Sequence, residues 1–170
     1  METPKLQIDA DPSGNKLSLY PATAADWPFI AEMARHASTL EGRPLPDAED
    51  VEDKLPSEND IAVVARDSGA QPIGAGWTLM RDEPLLRDED GEALPELFMA
   101  VDESARGQGI GGQLLDELED QARGKYKALT LNVHEQNPAR SLYASKGFIE
   151  VGPGRGTYGI AMKKELDGSS

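Results

Sequence analysis

The stretch 97–112 constrains the fold more than any other part of the chain, because it joins an apolar run to a glycine-rich loop. Residues 97–101 are five consecutive apolar residues, too few for a helix and without a 3.6-residue period, so they predict a strand buried on both faces. After Gly109 the apolar residues recur at helical spacing and acidic residues occupy the opposite side, which predicts an amphipathic helix. The stretch therefore predicts a strand, a loop and a helix in immediate succession.

The loop between this strand and helix has the composition of an anion-binding site. Its residues are Arg106, Gly107, Gln108, Gly109, Ile110, Gly111 and Gly112. Glycine lets a polyphosphate approach bare backbone N–H groups at the positive end of the helix dipole. Arg106 can add a charge-assisted hydrogen bond to a phosphate oxygen. The sequence therefore predicts a phosphate-binding loop, with a simple tight turn as the blander interpretation.

The same glycines also fit a dinucleotide-binding pattern. Gly107, Gly109 and Gly112 satisfy G-x-G-x-x-G, and Glu135 lies where such a fold places its ribose carboxylate. A dinucleotide domain, however, normally begins with this loop and continues through several βα units, whereas this sequence ends at Ser170. The β-hairpin predicted over 61–80 also disfavours that fold, because its strands are antiparallel.

Composition excludes several classes of function. The chain has 170 residues with 38% hydrophobic content, which suits one globular domain. A net charge of -14 without a basic stripe argues against nucleic-acid binding, and its origin is either substrate attraction or general solubility and adaptation to high salt. The lack of cysteine excludes disulfides, thiolate metal sites and a cysteine nucleophile. No membrane span or signal peptide is visible, so we expect a cytoplasmic protein.

The remaining segments predict one α/β domain over 17–166, preceded by a mobile tail at 1–16 and followed by a short tail at 167–170. Strands are predicted at 17–21, 61–66, 72–80, 97–101, 128–133, 148–151 and 158–164, and helices at 24–38, 47–55, 109–123 and 138–146. Thr23 and Asp26 are predicted to form a capping box at the first helix, and Asn137 is predicted to cap the last. The helix between the strands at 97–101 and 128–133 makes a right-handed βαβ unit, so these strands should be parallel. Residues 81–94 form a long charged loop that is either functional or mobile.

Two motifs in this order resemble the signatures of the GNAT superfamily of N-acetyltransferases. Arg106, Gly109 and Gly111 form the R-x-x-G-x-G pattern of its acetyl-CoA loop. The segment 137–148 resembles the second signature, an asparagine-led helix with a tyrosine and a closing Gly-Phe pair; Ser141 at the small-residue position is a mild departure. The resemblance implies a central mixed, mostly antiparallel sheet of about six or seven strands, with a splayed parallel pair at the CoA groove and about four flanking helices.

The resemblance also implies roles for individual residues, with acetyl-CoA as co-substrate and no metal. The implied cofactor-binding residues are Met99, Ala100, Val101, Arg106, Gly107, Gln108, Gly109, Ile110, Gly111, Gly112, Asn137 and Tyr143. Tyr143 is the implied acid that protonates the leaving CoA thiolate, and Glu96 the implied base that takes a proton from the amine, with His134 as its rival. Arg140 and Lys146 either contact the adenosine 3′-phosphate or are positively charged side chains exposed to solvent on their helix.

The implied reaction is acetyl transfer to a primary amine of a small molecule or peptide, by direct attack in a ternary complex. A small cationic amine is favoured because the segments 47–53 and 82–92 should make the cleft walls acidic. Two alternatives stay open. One is a non-catalytic acyl-CoA-binding or sensing module, which needs neither Tyr143 nor a base; the other is an acyltransferase for longer chains. We expect no nucleic-acid or membrane partner. Homodimers are common in the family that the sequence resembles, so a homodimer is one expected assembly.

Overall fold

The computed structural model describes residues 6–7, 17–37 and 46–166, in which eight strands form one sheet. The strands are β1 Leu6–Gln7, β2 Ser18–Pro21, β3 Ala62–Arg66, β4 Pro72–Leu79, β5 Glu96–Val101, β6 Ala128–His134, β7 Ile149–Pro153 and β8 Gly159–Glu165. The α-helices are α1 Trp27–Ala37, α2 Ile110–Ala122 and α3 Ala139–Ser145, and 3₁₀ helices span Ala24–Asp26, Ala48–Lys54 and Glu103–Ala105. No described helix is long and apolar enough to cross a membrane.

The strand order is β1-β2-β3-β4-β5-β6-β8-β7, and β5–β6 is the parallel pair among otherwise antiparallel neighbours. This confirms the predicted fold class and the predicted parallel pair. The described part holds three α-helices rather than about four, because the acidic segment predicted as a helix at 47–55 forms a 3₁₀ helix. The eighth strand comes from Leu6–Gln7 inside the predicted N-terminal tail; the rest of 1–16, and 167–170, lie outside the described residues.

Side chains alternate between two apolar layers on opposite faces of the sheet. On β3, Val63 and Ala65 pack with the α2 side chains, whereas Val64 packs with those of α1, as the period of a strand requires. The α2 layer includes Leu114 and Leu118, both fully buried. Helices α1 and α2 therefore cover opposite faces of the sheet and fix the strands that carry the site.

The parallel pair β5–β6 separates soon after it forms. Glu96 pairs with Thr130, which is the one register pair between these strands. Beyond it, β5 stays paired with β4 up to Val101, and β6 stays paired with β8 up to His134. The predicted burial of 97–101 on both faces is therefore wrong for 98–101, which are only half-buried because one edge of β5 has left its neighbour.

Candidate active site

Every second residue of β5 directs its backbone N–H and carbonyl groups into the gap between β5 and β6. The Asp102 N–H donates to the Ile73 carbonyl oxygen at 2.7 Å, so even-numbered residues of this segment direct their backbone groups toward β4. Odd-numbered residues then face β6, and the Pro95 carbonyl oxygen does accept from the Thr130 N–H at 3.0 Å. By this alternation the N–H groups of Met99 and Val101 point into the gap.

The glycine loop ends at this gap and starts helix α2. Gly107 and Gly109 have φ angles of 82° and 79°, in the left-handed region that favours glycine. The first i→i−4 bond of the helix runs from the Gln113 N–H to the Gly109 carbonyl oxygen at 3.3 Å. The N–H groups of residues 109–112 therefore have no acceptor within the helix, and they lie at its positive end. Such a cluster of donors can bind an anion.

Gly111 and Gly112 have a packing role that the sequence interpretation did not include. A Cβ at Gly111 would lie 3.1 Å from the Leu142 side chain and 3.3 Å from that of Met99. A Cβ at Gly112 would lie 3.2 Å from Cε of Lys146. Both glycines thus let the first turn of α2 approach α3 closely, besides exposing their N–H groups.

In the turn before the glycine loop, the Arg106 side chain is hydrogen-bonded to the end of β5. The Arg106 Nε donates to the Val101 carbonyl oxygen at 3.1 Å. Asp102 caps the 3₁₀ helix Glu103–Ala105 by accepting from the Ser104 N–H at 3.2 Å. A hydrogen bond from the Ser104 hydroxyl is the main cause that lowers the pKa of Asp102. Arg106 therefore lies beside the gap, between the strand and the glycine loop.

Helix α3 begins with the predicted asparagine cap. Asn137 Oδ1 accepts from the Ala139 N–H at 2.8 Å, which confirms the capping role. Arg140 pairs with Glu150 at 2.6 Å, and Lys146 pairs with Asp116 at 3.0 Å. Both basic residues therefore form ion pairs with partly exposed carboxylates.

Tyr143 is buried in the α2 layer, with 8% of its surface exposed. Its ring meets that of Phe148 edge-on at a centroid distance of 6.1 Å. Burial raises the pKa of Tyr143 to about 12. The hydroxyl therefore stays protonated at neutral pH and can act as a proton donor.

Glu96 lies where β5 and β6 part and is buried, with 3% of its surface exposed. Glu96 is therefore not an exposed charge at the end of a strand. Its Oε1 accepts from Nη2 of Arg155 at 2.8 Å, and the same Nη2 donates to the Glu83 carbonyl oxygen at 3.0 Å. Sequence reasoning missed Arg155, although it is the one charged residue in the turn 152–156.

His134, the rival base, is engaged at one ring nitrogen. Its Nδ1 accepts from the Gln136 N–H at 3.0 Å, so the neutral ring carries its proton on Nε2. The ring also lies 5.4 Å from that of Tyr158, tilted by 39°. Neither nitrogen of the neutral ring is then a ready proton acceptor, which makes Glu96 the stronger candidate.

The charged loop at 81–94, which follows β4, has a conformation held by its own hydrogen bonds. The Asp88 carboxylate accepts from the N–H groups of Asp90 and Glu92 at 2.8 and 2.9 Å, and the Glu92 contact is the main cause that lowers the pKa of Asp88. Lys127 pairs with Asp90 at 3.0 Å, and Arg81 pairs with Asp53 at 3.2 Å. Each acidic segment, 47–53 and 82–92, is thus held by an ion pair with a basic residue outside it. The described residues contain no group of three or more acidic or histidine side chains placed like metal ligands.

Comparison with known proteins agrees with this geometry. The family described as the acetyltransferase (GNAT) domain matches residues 47–166. The 5-NmdU N-acetyltransferase of Pseudomonas phage PaMx11 is 38% identical over 69 residues, which are 40% of this chain and about half, 48%, of that protein. Because the family match spans more than half of the chain, the protein belongs to the GNAT acetyltransferase family.

Solved structures show the same fold. The ribosomal-protein-alanine N-acetyltransferase from Brucella melitensis has a TM-score of 0.66 and 28% identity, covering 87% of this chain and 99% of that one. A phosphinothricin acetyltransferase from Sinorhizobium meliloti, solved in complex with acetyl-CoA, has a TM-score of 0.67 and 23% identity, covering 88% of each chain.

The buried Tyr143 hydroxyl predicts a specific alkaline loss of stability. Its folded-state pKa of about 12 exceeds the ordinary value of 10.0, so above pH 10 the unfolded chain loses this proton first. The contribution is fully present below pH 10 and is lost toward pH 12. We expect the unfolding free energy of wild type to fall by up to about 2.7 kcal/mol more than that of Tyr143→Phe across this range.

Urea denaturation at a series of pH values measures this difference. Tyr158→Phe, which alters an exposed ring, is the matched control and should follow the wild-type curve. Parallel curves for wild type and Tyr143→Phe would show that the hydroxyl ionises as easily in the folded protein as in the unfolded chain.

Proposed function

We propose that this enzyme transfers the acetyl group of acetyl-CoA to a primary amine, preferably a small cationic one. The observation that carries the proposal is the coincidence of three features at the β5–β6 gap. Backbone N–H groups of β5 that point away from β4 line it, the donor-rich start of α2 adjoins it, and the buried carboxylate of Glu96 lies at its closed end. The relative from Sinorhizobium meliloti, which shares the fold, binds acetyl-CoA.

The backbone donors suit the parts of acetyl-CoA in order. Its pyrophosphate is assigned to the N–H groups of residues 109–112 together with Gly107, Gln108 and Arg106. The amide-containing pantetheine arm is assigned to the backbone of residues 99–101, as an added strand would be, with Asn137 on the opposite wall. This arrangement would leave the thioester near the closed end of the gap.

The proposed reaction is direct attack of the amine on the thioester carbonyl. The C–N bond forms and the C–S bond breaks; a nitrogen that arrives as an ammonium loses two protons, and the thiolate gains one. Glu96 accepts the first proton, directly or through water, before the attack. The Tyr143 hydroxyl then protonates the sulfur, and the second proton of the nitrogen replaces the one that Tyr143 gave. The buried hydroxyl is fully protonated before the reaction, since the pKa of Tyr143 is about 12. Two groups with distinct environments thus take the two roles.

The acidic segments 47–53 and 82–92 favour a cationic acceptor. A cleft of one charge sign raises the capture rate of opposite charges at low ionic strength. An amine with a pKa of about 10.4 is almost entirely ammonium at neutral pH, so a base is needed before it can attack. The acceptor proposed here therefore arrives charged and is deprotonated in the site.

An acceptor screen tests the proposed function. Free CoA is measured with acetyl-CoA and a panel that includes diamines, amino-acid amides, a peptide N-terminus, neutral hydroxyl compounds and 5-NmdU, which the name of the phage relative suggests. We expect turnover with cationic amines, with kcat/KM falling as salt rises to ~1 M, where the Debye length is about 3 Å. Turnover confined to neutral or anionic acceptors would contradict the electrostatic argument.

The general-acid role is tested by Tyr143→Phe, which keeps the ring and removes the hydroxyl. We expect kcat to fall by roughly 10²-fold while acetyl-CoA affinity stays nearly unchanged, because the proton donor acts on the leaving group. Tyr158→Phe is again the control. A wild-type kcat in Tyr143→Phe would return this residue to a packing role.

The phosphate loop is tested by Gly109→Val. The φ angle of 79° strains a β-branched residue, and the new side chain would disturb the donors at the start of α2. Acetyl-CoA at ~100 times its Kd should stabilise wild type by about 2.7 kcal/mol, which raises Tm by several degrees, and should leave the variant unshifted. Gly124→Val, whose φ is 83° at the far end of α2, is the matched control for strain and should keep the shift. A full shift in Gly109→Val would show that the loop does not bind the phosphates.

A further inference from the structure

Arg155 covers the carboxylate that the proposed reaction uses. One nitrogen atom, Nη2, donates to Oε1 of Glu96 at 2.8 Å and to the Glu83 carbonyl oxygen at 3.0 Å. These two oxygens come from different elements, the start of β5 and the loop that precedes it. They therefore define a place where a single cationic nitrogen with at least two N–H groups is bound, beside the point where β5 and β6 part.

The rest of the guanidinium is poorly accommodated there. Arg155 Nε is buried, and no group in the described part of the chain accepts its hydrogen bond. A buried donor without an acceptor is unfavourable, whereas the same N–H would be hydrated if the side chain turned outward. The side chain is 35% exposed, so it has a route to solvent.

The backbone of the turn holds its position independently of the Arg155 side chain. The Arg155 N–H donates to Asn132 Oδ1 at 2.7 Å, and the Gly154 N–H donates to the Gly159 carbonyl oxygen at 2.8 Å. A Cβ at Gly154 would lie 2.0 Å from Asn132 Oδ1, so only glycine permits this close approach. The side chain can therefore leave Glu96 without dismantling the turn.

We propose that Arg155 is a resident counter-ion of Glu96 and that the ammonium group of the acceptor displaces it. This inference rests on the proposed function and names its substrate class as a primary ammonium. A buried carboxylate needs a cationic partner, and two cations on the same oxygen pair repel each other. A primary ammonium carries three N–H donors, enough to replace both contacts of Nη2, and the hydrogen that it donates to Glu96 is the one that transfers.

The displacement links acceptor binding to catalysis. While Arg155 is bound, its Nη2 occupies the position between Oε1 of Glu96 and the Glu83 carbonyl oxygen, so the acceptor nitrogen cannot take that position. When the ammonium replaces the guanidinium, it brings the proton that Glu96 must accept. Because the site is free only in the fraction of molecules whose Arg155 has turned outward, the apparent affinity for the acceptor is reduced by that fraction.

A thermal-shift experiment tests the site without requiring turnover. Arg155→Ala is titrated with ethylammonium chloride against sodium chloride of the same ionic strength. We expect Arg155→Ala to gain a few degrees in Tm specifically from ethylammonium, wild type to gain less, and Arg155→Ala combined with Glu96→Gln to gain nothing specific. An equal effect of both salts on Arg155→Ala would overturn the proposal, whatever the acceptor screen shows.

Kinetics provide the second readout, with Arg155→Met to preserve the apolar stem if the alanine variant does not fold. With a cationic acceptor identified by the screen, we expect KM for the acceptor to fall several-fold and kcat to be kept. Arg123→Met, which removes an exposed arginine paired with Glu119 and Asp120, is the control and should change neither. A raised KM or a lowered kcat in Arg155→Met would show instead that Arg155 positions Glu96 and stays bound during the reaction.

Discussion

The candidate site depends on the single register pair between β5 and β6, Glu96 with Thr130. Thr130 directs both its N–H and its hydroxyl to the Pro95 carbonyl oxygen, at 3.0 and 2.8 Å, and fastens the two strands at their start. Beyond this contact each strand has a complete antiparallel partner on its other side, β4 for β5 and β8 for β6. The strands can therefore part without losing the sheet, and the backbone groups of Met99 and Val101 become available for a ligand.

Helix α2 brings the N–H groups of its first turn to this gap, because the βαβ connection places its N-terminus at the same edge of the sheet. The loop glycines serve two different needs there. Gly107 and Gly109 adopt positive φ angles, whereas Gly111 and Gly112 let α2 contact Leu142 and the Lys146 stem. One short motif thus sets both the chain reversal and the helix packing, which explains why it predicts so much of the structure.

The features that the sequence could predict depend on residues that lie close together in the chain. The hairpin of β3 and β4, the Asn137 cap and the bond from the Thr23 N–H to the Asp26 carboxylate all rest on residues close in the chain. The pairing of Arg155 with Glu96 joins a turn to the start of β5, far apart in sequence, and leaves no periodic pattern, so it could not be predicted. The exposure of β5 was missed for a related reason: its apolar run does not reveal that a neighbouring strand turns away.

The buried carboxylates differ in how firmly the fold holds their cationic partners. Asp26 pairs with Arg66 at the end of β3, and Glu119 pairs with Lys164 of β8 at 2.6 Å as well as with Arg123. Those partners belong to, or directly follow, regular elements, so their backbone and side chains are fixed together. Glu96 instead pairs with a loop arginine whose Nε lacks an acceptor among the described residues. Of the three carboxylates that are buried in the described part of the chain, Glu96 therefore has the partner that is easiest to replace, and it lies at the opening between β5 and β6.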